Sequence, residues 1–353
     1  MKNLTKNEKD TLWGLVNYPS LNDRALARKT RLKLSTVTAI RRRLRERDYF
    51  WTVNIPNFSR LGFELFCAEY GSFNEAVPLE RRKKYFTQFV TEEPMAVFAL
   101  MSRSYGVVFC IARNYSEATI MQENMEIFLT SHHLIEEDAW KRAIFPFETS
   151  LFWNFFSFGP VLKYVHSMKK KAKTPEFARE KKAEGARLSK KEKTVLFGLV
   201  KYPEEADSAV AERFGVSRHA VSNIKKRFVK NDLISTHRIL NFEHMGCPLL
   251  TFAYTYFGPK TPLESRKGGL DYVMNVVPGF VGISSNFESI LFAAIKGYTE
   301  YDTMRENLLS FYKSHLSIAK PPEVLLFPVK DICFCKKPTF DTLLGTLFDF
   351  EEK

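Results

Sequence analysis

The sequence predicts an α+β protein made of two copies of one two-part unit, and three observations predict it. Residues 4–19, LTKNEKDTLWGLVNYP, recur almost letter for letter at 188–203, LSKKEKTVLFGLVKYP. Each copy opens with short, capped, amphipathic helical patterns. Each then runs into apolar strand patterns alternating with helical ones in the order βαββαβ.

The repeat is long. At a fixed offset of 184, residues 4–70 align with 188–254 without a gap and share 24 of 67 positions. The match continues more loosely to Phe145-Pro146 and Phe327-Pro328. A period of that length is too great for a solenoid and reads as the duplication of a two-domain protein. The expected boundaries are 1–58, 59–150, an aromatic then basic linker at 151–187, 188–242, 243–336 and a C-terminal tail at 337–353.

Composition narrows the class. Apolar residues make up 45% and aromatic residues 14% of the 353, which suits a globular chain with a sizeable core. No run is long and apolar enough for a membrane span, and the N-terminus lacks the apolar stretch of a signal peptide. Five cysteines without a regular framework fit a reducing, cytoplasmic setting. The net charge of +13 is concentrated at the start of each copy and between them. Residues 4–60 carry 13 Lys/Arg against 5 Asp/Glu, and 169–187 carry 8 against 3. Such a distribution favours a polyanionic partner.

The first part of each copy reads as three helices. Thr5-x-x-Glu8 and Ser189-x-x-Glu192 are capping boxes, and Tyr18-Pro19 and Tyr202-Pro203 stop the first helix. A second helix near 23–30 and 207–214 carries small Ala27 and Ala211 at a close crossing. In the third, Val37, Ile40 and Leu44, or Val221, Ile224 and Phe228, face inward. The opposite face carries Ser35, Thr36, Thr38, Arg41, Arg42 and Arg43 in one copy. In the other it carries Arg218, His219, Ser222, Asn223, Lys225, Lys226 and Arg227. A basic, hydroxyl-rich third helix followed by a short β segment is a winged-type helix-turn-helix reading. Such a helix enters the major groove of double-stranded DNA, where Arg, Asn and Ser/Thr read base edges and Lys/Arg hold phosphates. Arg42 and Asn223 are the expected base readers.

The second part has strands at 95–101, 105–112 and 141–147, with helices at 79–91 and 116–131, and equivalents in the other copy. This is the ferredoxin-like arrangement. The continuous apolar runs VVFCIA and ILFAAI predict a sheet buried on both faces, with the other copy as the cover.

With LTKNEKDTLWGLV, VSRHAVSNIKKRFVKNDLI, and the NFSRLGF and NFEHMGC junctions in view, the chain resembles the leucine-responsive/asparagine (Lrp/AsnC) regulator family, tandemly duplicated and of archaeal type. The resemblance implies a DNA-binding transcription regulator that oligomerises through its ferredoxin-like domains and responds to a small-molecule effector. It places the effector loop at Ser102, Ser104, Asn286 and Glu288, although the family's Thr-Gly pair is replaced there. Duplication implies a single-chain pseudo-dimer reading two unlike half-sites. No nucleophile-base-acid set, metal site or cofactor motif stands out, so no catalysis and no cofactor are expected.

The alternative is an enzyme. The same fold is used by sirohaem decarboxylases of haem biosynthesis, which act on a tetrapyrrole's carboxylates with basic and histidine side chains; here His132, His133 and His315 close matching helices. Cys333 and Cys335 form a C-x-C pair without further ligands nearby, and read as free thiols.

Overall fold

The first helix is held at both ends by what its sequence lacks or supplies. In a computed structural model that describes residues 4–168, 185–315, 318 and 320–350, α1 spans Lys6–Asn17. The backbone N–H of Glu8 donates to the Thr5 hydroxyl at 3.3 Å, and the Glu8 carboxylate accepts the Thr5 N–H at 2.8 Å. At the far end Pro19 has no N–H, so the Leu15 carbonyl loses its helical donor. Arg238 supplies one: its Nη1 donates to Leu15 O at 2.7 Å and to Pro19 O at 3.0 Å.

The elements follow in order. The first copy gives α2 (Asp23–Thr30), α3 (Leu34–Glu46), β1 (Phe50–Pro56), β2 (Leu65–Ser72), α4 (Leu79–Glu92), β3 (Ala96–Met101), β4 (Tyr105–Ala112), α5 (Tyr115–Ser131) and β5 (Trp140–Pro146). Residues expected in a linker form β6 (Leu151–Phe155) and α6 (Gly159–Val165). Residues 169–184 of that linker lie outside the described residues. The second copy gives α7 (Lys190–Lys201), α8 (Asp207–Arg213), α9 (Arg218–Lys230), β7 (Ile234–Leu240), α10 (Phe242–Met245), β8 (Leu249–Tyr256), α11 (Leu263–Val276), β9 (Gly279–Ser284), β10 (Glu288–Ile295), α12 (Tyr298–His315) and β11 (Glu323–Pro328). The tail forms β12 (Cys333–Lys336) and α13 (Asp341–Phe348).

The chain divides into two compact units, each assembled from separated segments. One unit gathers the described residues of Met1–Trp51, Thr149–Arg179 and His237–Lys330. It therefore joins the first three-helix bundle to the second βαββαβ domain. The other gathers those of Thr52–Glu148, Glu180–Thr236 and Asp331–Lys353. It joins the first βαββαβ domain to the second bundle.

Each unit contains a five-stranded antiparallel sheet. In the first unit the order is β11-β8-β10-β9-β6, and in the second it is β5-β2-β4-β3-β12. Four strands are those of the domain itself, in the order expected for βαββαβ. The fifth is taken from the segment after the other domain. Trp153 on β6 lies over Gly282, where a Cβ would fall 2.2 Å from the indole, so only glycine admits the ring. The Asn154 amide donates to Gly279 O at 2.6 Å. In the second unit Lys336 on β12 donates through Nζ to Glu93 O at 3.0 Å. Beyond these strands, α6 packs on α1 and α13 packs on α7.

The second unit repeats the helix-end solution. Pro203 leaves the Leu199 carbonyl without a helical donor, and Asn54 Nδ2 donates to it at 2.7 Å. Asn54 stands 184 positions before Arg238, so the same strand position serves both bundles. In the first βαββαβ sheet both faces are buried: Cys67, Cys110 and Met101 on one, Phe66, Phe109 and Phe145 on the other. Among the described residues no helix is long and apolar enough to cross a membrane.

Candidate functional site

The second βαββαβ domain is hollow. Between its sheet and α11 and α12 lies a cavity of about 100 Å³. Its sheet side is formed by Thr251, Ala253, Thr255, Ser289 and Val324. Its helix side includes Arg266 and Leu270 from α11, and Tyr301, Arg305 and Tyr312 from α12. Among the described residues no aspartate or glutamate lines it.

Two cations border this space. Arg266 is 3% exposed, with its guanidinium 3.8 Å from the centre of the Phe257 ring. Its Nε donates to Thr261 O at 3.1 Å, and its Nη2 donates to the carbonyls of Ser285 and Asn286, the latter at 2.9 Å. Among the described residues no carboxylate lies within ion-pair distance of it. Burial pulls its pKa down to about 10, partly opposed by Tyr312. Arg305 is half exposed and lies 3.9 Å from Asp302. Burial pushes the Tyr312 phenol up to about 12 and raises Tyr301 against the opposing pull of Arg305. Both phenols therefore hold their protons at neutral pH. The hydroxyls form a short chain: Trp153 Nε1 donates to Ser284 Oγ at 3.3 Å, Ser284 to Ser289 Oγ at 3.0 Å, and Ser289 to Ile283 O at 3.0 Å.

The first βαββαβ domain is filled at the equivalent place. Strand register pairs Gly71 with Trp140 and Glu69 with Arg142 on β2 and β5. On β8 and β11 it pairs Ala253 with Val324. Trp140 packs against Phe73 and Phe86, with ring centres 5.5 and 5.7 Å away, and its ring would meet a Cβ at Gly106. Glu69 and Arg142 form a buried ion pair, 1% and 8% exposed at the side chain. Arg142 Nη2 also donates to Ala118 O at 2.6 Å. Ring and ion pair together close the first domain; Pro322, Ala253 and Val324 leave the second open.

The basic helix faces divide by how far each side chain is engaged. In the first bundle Arg41 Nη1 donates to Asp23 at 2.7 Å, Thr38 Oγ1 to the same carboxylate at 2.9 Å, and Arg43 lies 3.1 Å from Glu8. In the second, Lys225 lies 3.0 Å from Asp207 and Arg227 pairs with Glu192. The same two ion pairs thus recur at equivalent positions. They tie the third helix to the first and second, and reduce the charge available to a polyanion. Ser35, Arg42, Arg218, His219, Asn223 and Lys226 are exposed; Thr36 and Ser222 are half-buried. Arg42 lies 3.7 Å from Glu46 on its own helix.

The expected effector residues lie in strand turns. Ser102 accepts from Tyr105 N at 3.2 Å, Ser104 O accepts from Phe73 N, and the Asn286 carbonyl serves Arg266. Glu288 accepts from the Tyr254 hydroxyl at 2.9 Å. None lines the cavity; Ser284 and Ser289, two positions and one position away, do. The histidines finish their helices. His132 Nδ1 meets Phe128 O at 2.9 Å, with the ring 4.0 Å from Tyr85, and His315 Nδ1 meets Phe311 O at 3.2 Å. A hydrogen bond from the Cys335 thiol and nearby Lys83 bring Cys333 down to about 6, and no third metal-ligating group completes a site among the described residues.

Sequence reading missed the cavity. Its signal was a set of large-to-small changes between the copies, at Glu69/Ala253, Arg142/Val324 and Trp140/Pro322. Loop-length differences shift the repeat offset from 184 to 182 across these positions and hid it.

No protein-family model and no curated protein sequence matches this chain. Solved structures do. Siroheme decarboxylase NirDL aligns with 97% of this chain and 98% of its own, with a TM-score of 0.52 at 10% identity. The same enzyme in complex with an iron-uroporphyrin III analogue gives 0.53, again at 10% identity, over 97% of this chain and 99% of its own. The AsnC protein of E. coli covers 40% of this chain and 92% of its own, at a TM-score of 0.31 and 15% identity. The end-to-end likeness to an enzyme overturns the expectation of a chain without catalysis. That expectation rested on the lack of a nucleophile-base-acid set in the sequence, and residues that only folding brings together leave no such local mark. From end to end, this chain has the α+β, antiparallel-sheet fold of siroheme decarboxylase NirDL.

Proposed function

We propose that the chain is an enzyme of the siroheme-decarboxylase type, with the cavity of the second βαββαβ domain as the seat of one carboxylate side chain of the substrate. The observation that carries this reading is the match along the whole length of both chains, duplicated halves included. The residues of the cavity fit the chemistry. Arg266 and Arg305 would hold a carboxylate-bearing group. Loss of CO2 breaks one C–C bond, leaves the electron pair on the remaining carbon, and requires one proton. Tyr301 and Tyr312, both protonated at neutral pH, are the donors nearest to hand. The test is anaerobic incubation with sirohaem, read by mass spectrometry for loss of CO2 and by the visible absorption band. Turnover that falls at least roughly tenfold in Tyr301→Phe or Arg305→Ala is expected. Intact substrate after long incubation with well-folded protein overturns the proposal.

A second reading is favoured by the exposed side chains of α3 and α9. Under it the bundles are winged-type helix-turn-helix domains, the βαββαβ domains are ferredoxin-like, and a cytoplasmic, oligomeric pseudo-dimer reads two unlike DNA half-sites through Arg42 and Asn223. Its test is a mobility shift on genomic fragments. Binding that steepens as salt is lowered and weakens in Arg42→Ala and Asn223→Ala supports it; absence of any enriched fragment removes it.

A further inference from the structure

The two added strands carry different chemistry at one shared place. Each has a bulge, between Phe152 and Asn154 in β6 and between Phe334 and Lys336 in β12. Aligned on it, Leu151 and Trp153 correspond to Cys333 and Cys335. Leu151 and Trp153 are buried in the core of the second βαββαβ domain. Cys335 is buried against the core of the first, and Cys333 packs on it half-buried. Apolar packing satisfies these positions in one domain; the other places two thiols there.

The thiols are near enough to react with each other. Side chains two apart share a face of a strand, with Cα atoms about 6.6 Å apart, near the upper end of what a disulfide spans. The bulge bends β12 at this point. Cys335 Sγ turns back along its own strand to within 3.8 Å of Cys333 O, and the two thiols hydrogen-bond. That bond and Lys83 of α4 hold Cys333 at about 6, against burial and Glu80. The same bond, together with burial, keeps the proton on Cys335. A thiolate thus stands beside a thiol that still carries its proton.

The other cysteines show that proximity is not enough. Cys67 and Cys110 face each other directly on β2 and β4, but each is 2% exposed and burial pushes both thiols up. Cys247 is buried and raised in the same way. Such thiols are inert, whereas an accessible thiolate is a nucleophile.

We propose that Cys333 and Cys335 are a hydroperoxide-reactive dithiol that closes to a reversible disulfide. The Cys333 thiolate attacks one peroxide oxygen, the O–O bond breaks, and the alcohol or water leaves with a proton from solvent. The Cys335 sulfur then attacks the sulfenic sulfur of Cys333. The S–S bond forms as the S–O bond breaks, and hydroxide departs as water with the Cys335 proton. Two thiols are oxidised, one hydroperoxide is reduced, and a thiol reductant resets the pair. The site is independent of the decarboxylase reading.

The test is treatment of the reduced full chain with one equivalent of hydrogen peroxide, followed by alkylation, thiol counting in denaturant and peptide mass mapping. Free thiols should fall from five to three, with the disulfide mapped to Cys333 and Cys335 and reversed by dithiothreitol. Cys335→Ala, which keeps the buried position apolar, should stop at a sulfenic acid on Cys333 that dimedone traps. Cys333→Ser should slow oxidation at least roughly tenfold. Alkylation of Cys333 should change less than roughly twofold between pH 7 and 8, where an ordinary thiol gains roughly eightfold. Oxidation spread over all five cysteines overturns the proposal. So does a disulfide between two chains, or Cys333 over-oxidised while Cys335 stays free in the unaltered protein.

Discussion

The two βαββαβ domains share an order of elements and differ in their centres. The first is closed by Trp140 and the Glu69–Arg142 pair. The second carries Pro322, Ala253 and Val324 there, and encloses a cavity. Duplication lets one copy lose core volume that the other keeps. The first holds a solid core, and the second gives up packing and leaves a cavity. Hydrophobic sequence pattern is nearly blind to this, because both solutions bury the same strands.

The comparison can be broken most sharply at Trp140. Trp140→Ala removes a ring packed on two phenylalanines and should cost about 3–5 kcal/mol. Pro322→Ala, at the equivalent place in the hollow domain, should cost less than about 1 kcal/mol. Urea unfolding of both variants decides, and equal losses would show that the second domain is as tightly packed as the first.

The ion pair gives the next effect. Glu69→Gln strands the Arg142 charge and should cost about 3 kcal/mol. Arg142→Met should cost less, because burial already raises the Glu69 carboxyl to about 7 and the proton it takes up removes the charge. Without the lowering pull of Arg142 the folded value rises further, so Glu69 in that variant favours the folded state at low pH, and the advantage is lost as pH rises through 7 and beyond. A variant whose stability instead rises with pH over that window would refute this account.

A smaller effect separates the two units in acid. His237 and His166 both lie in the unit with the hollow domain, and burial pulls each down to about 4, with Lys9 and Lys296 adding to the effect at His166. A folded value below the unfolded one means that the unfolded chain takes up the proton first. Stability is therefore whole above about pH 6.5 and is lost as pH falls toward 4. About 1–2 kcal/mol per histidine is expected, since neither is fully enclosed. His237→Gln should flatten the melting temperature across that range. The smallest effect belongs to Arg42→Ala and Asn223→Ala, which should shift stability by less than about 0.5 kcal/mol, because both are exposed.

Much of the fold could be read from local chemistry. Capping boxes mark α1 and α7, Tyr-Pro ends them, and inward Val37, Ile40 and Leu44 set the face of α3. What could not be read depends on distant partners. Nothing near Pro19 reveals that Arg238 will serve the carbonyl it leaves bare. A cluster of basic residues does not disclose that Asp23 and Glu8 hold two of them. The aromatic stretch at 151–158 reads as a linker because β6 has no hairpin partner in sequence and pairs instead with β9, more than a hundred residues on. The cavity is hidden for the same reason, since its walls come from β6, β8, β9, β10, β11 and the two helices after residue 260.

The exchange of segments has a consequence for inheritance. Were the gene cut between the codons for residues 168 and 185, neither product would contain a whole unit. The first product would hold a helical bundle whose α1 lacks Arg238, and a sheet lacking β12; the second would lack Asn54 and β6. Each would be unfinished until it met the other. Two such genes would have to stay together, and their proteins would be made as strict partners. Fusion into one reading frame removes the search for that partner and fixes the ratio at one to one.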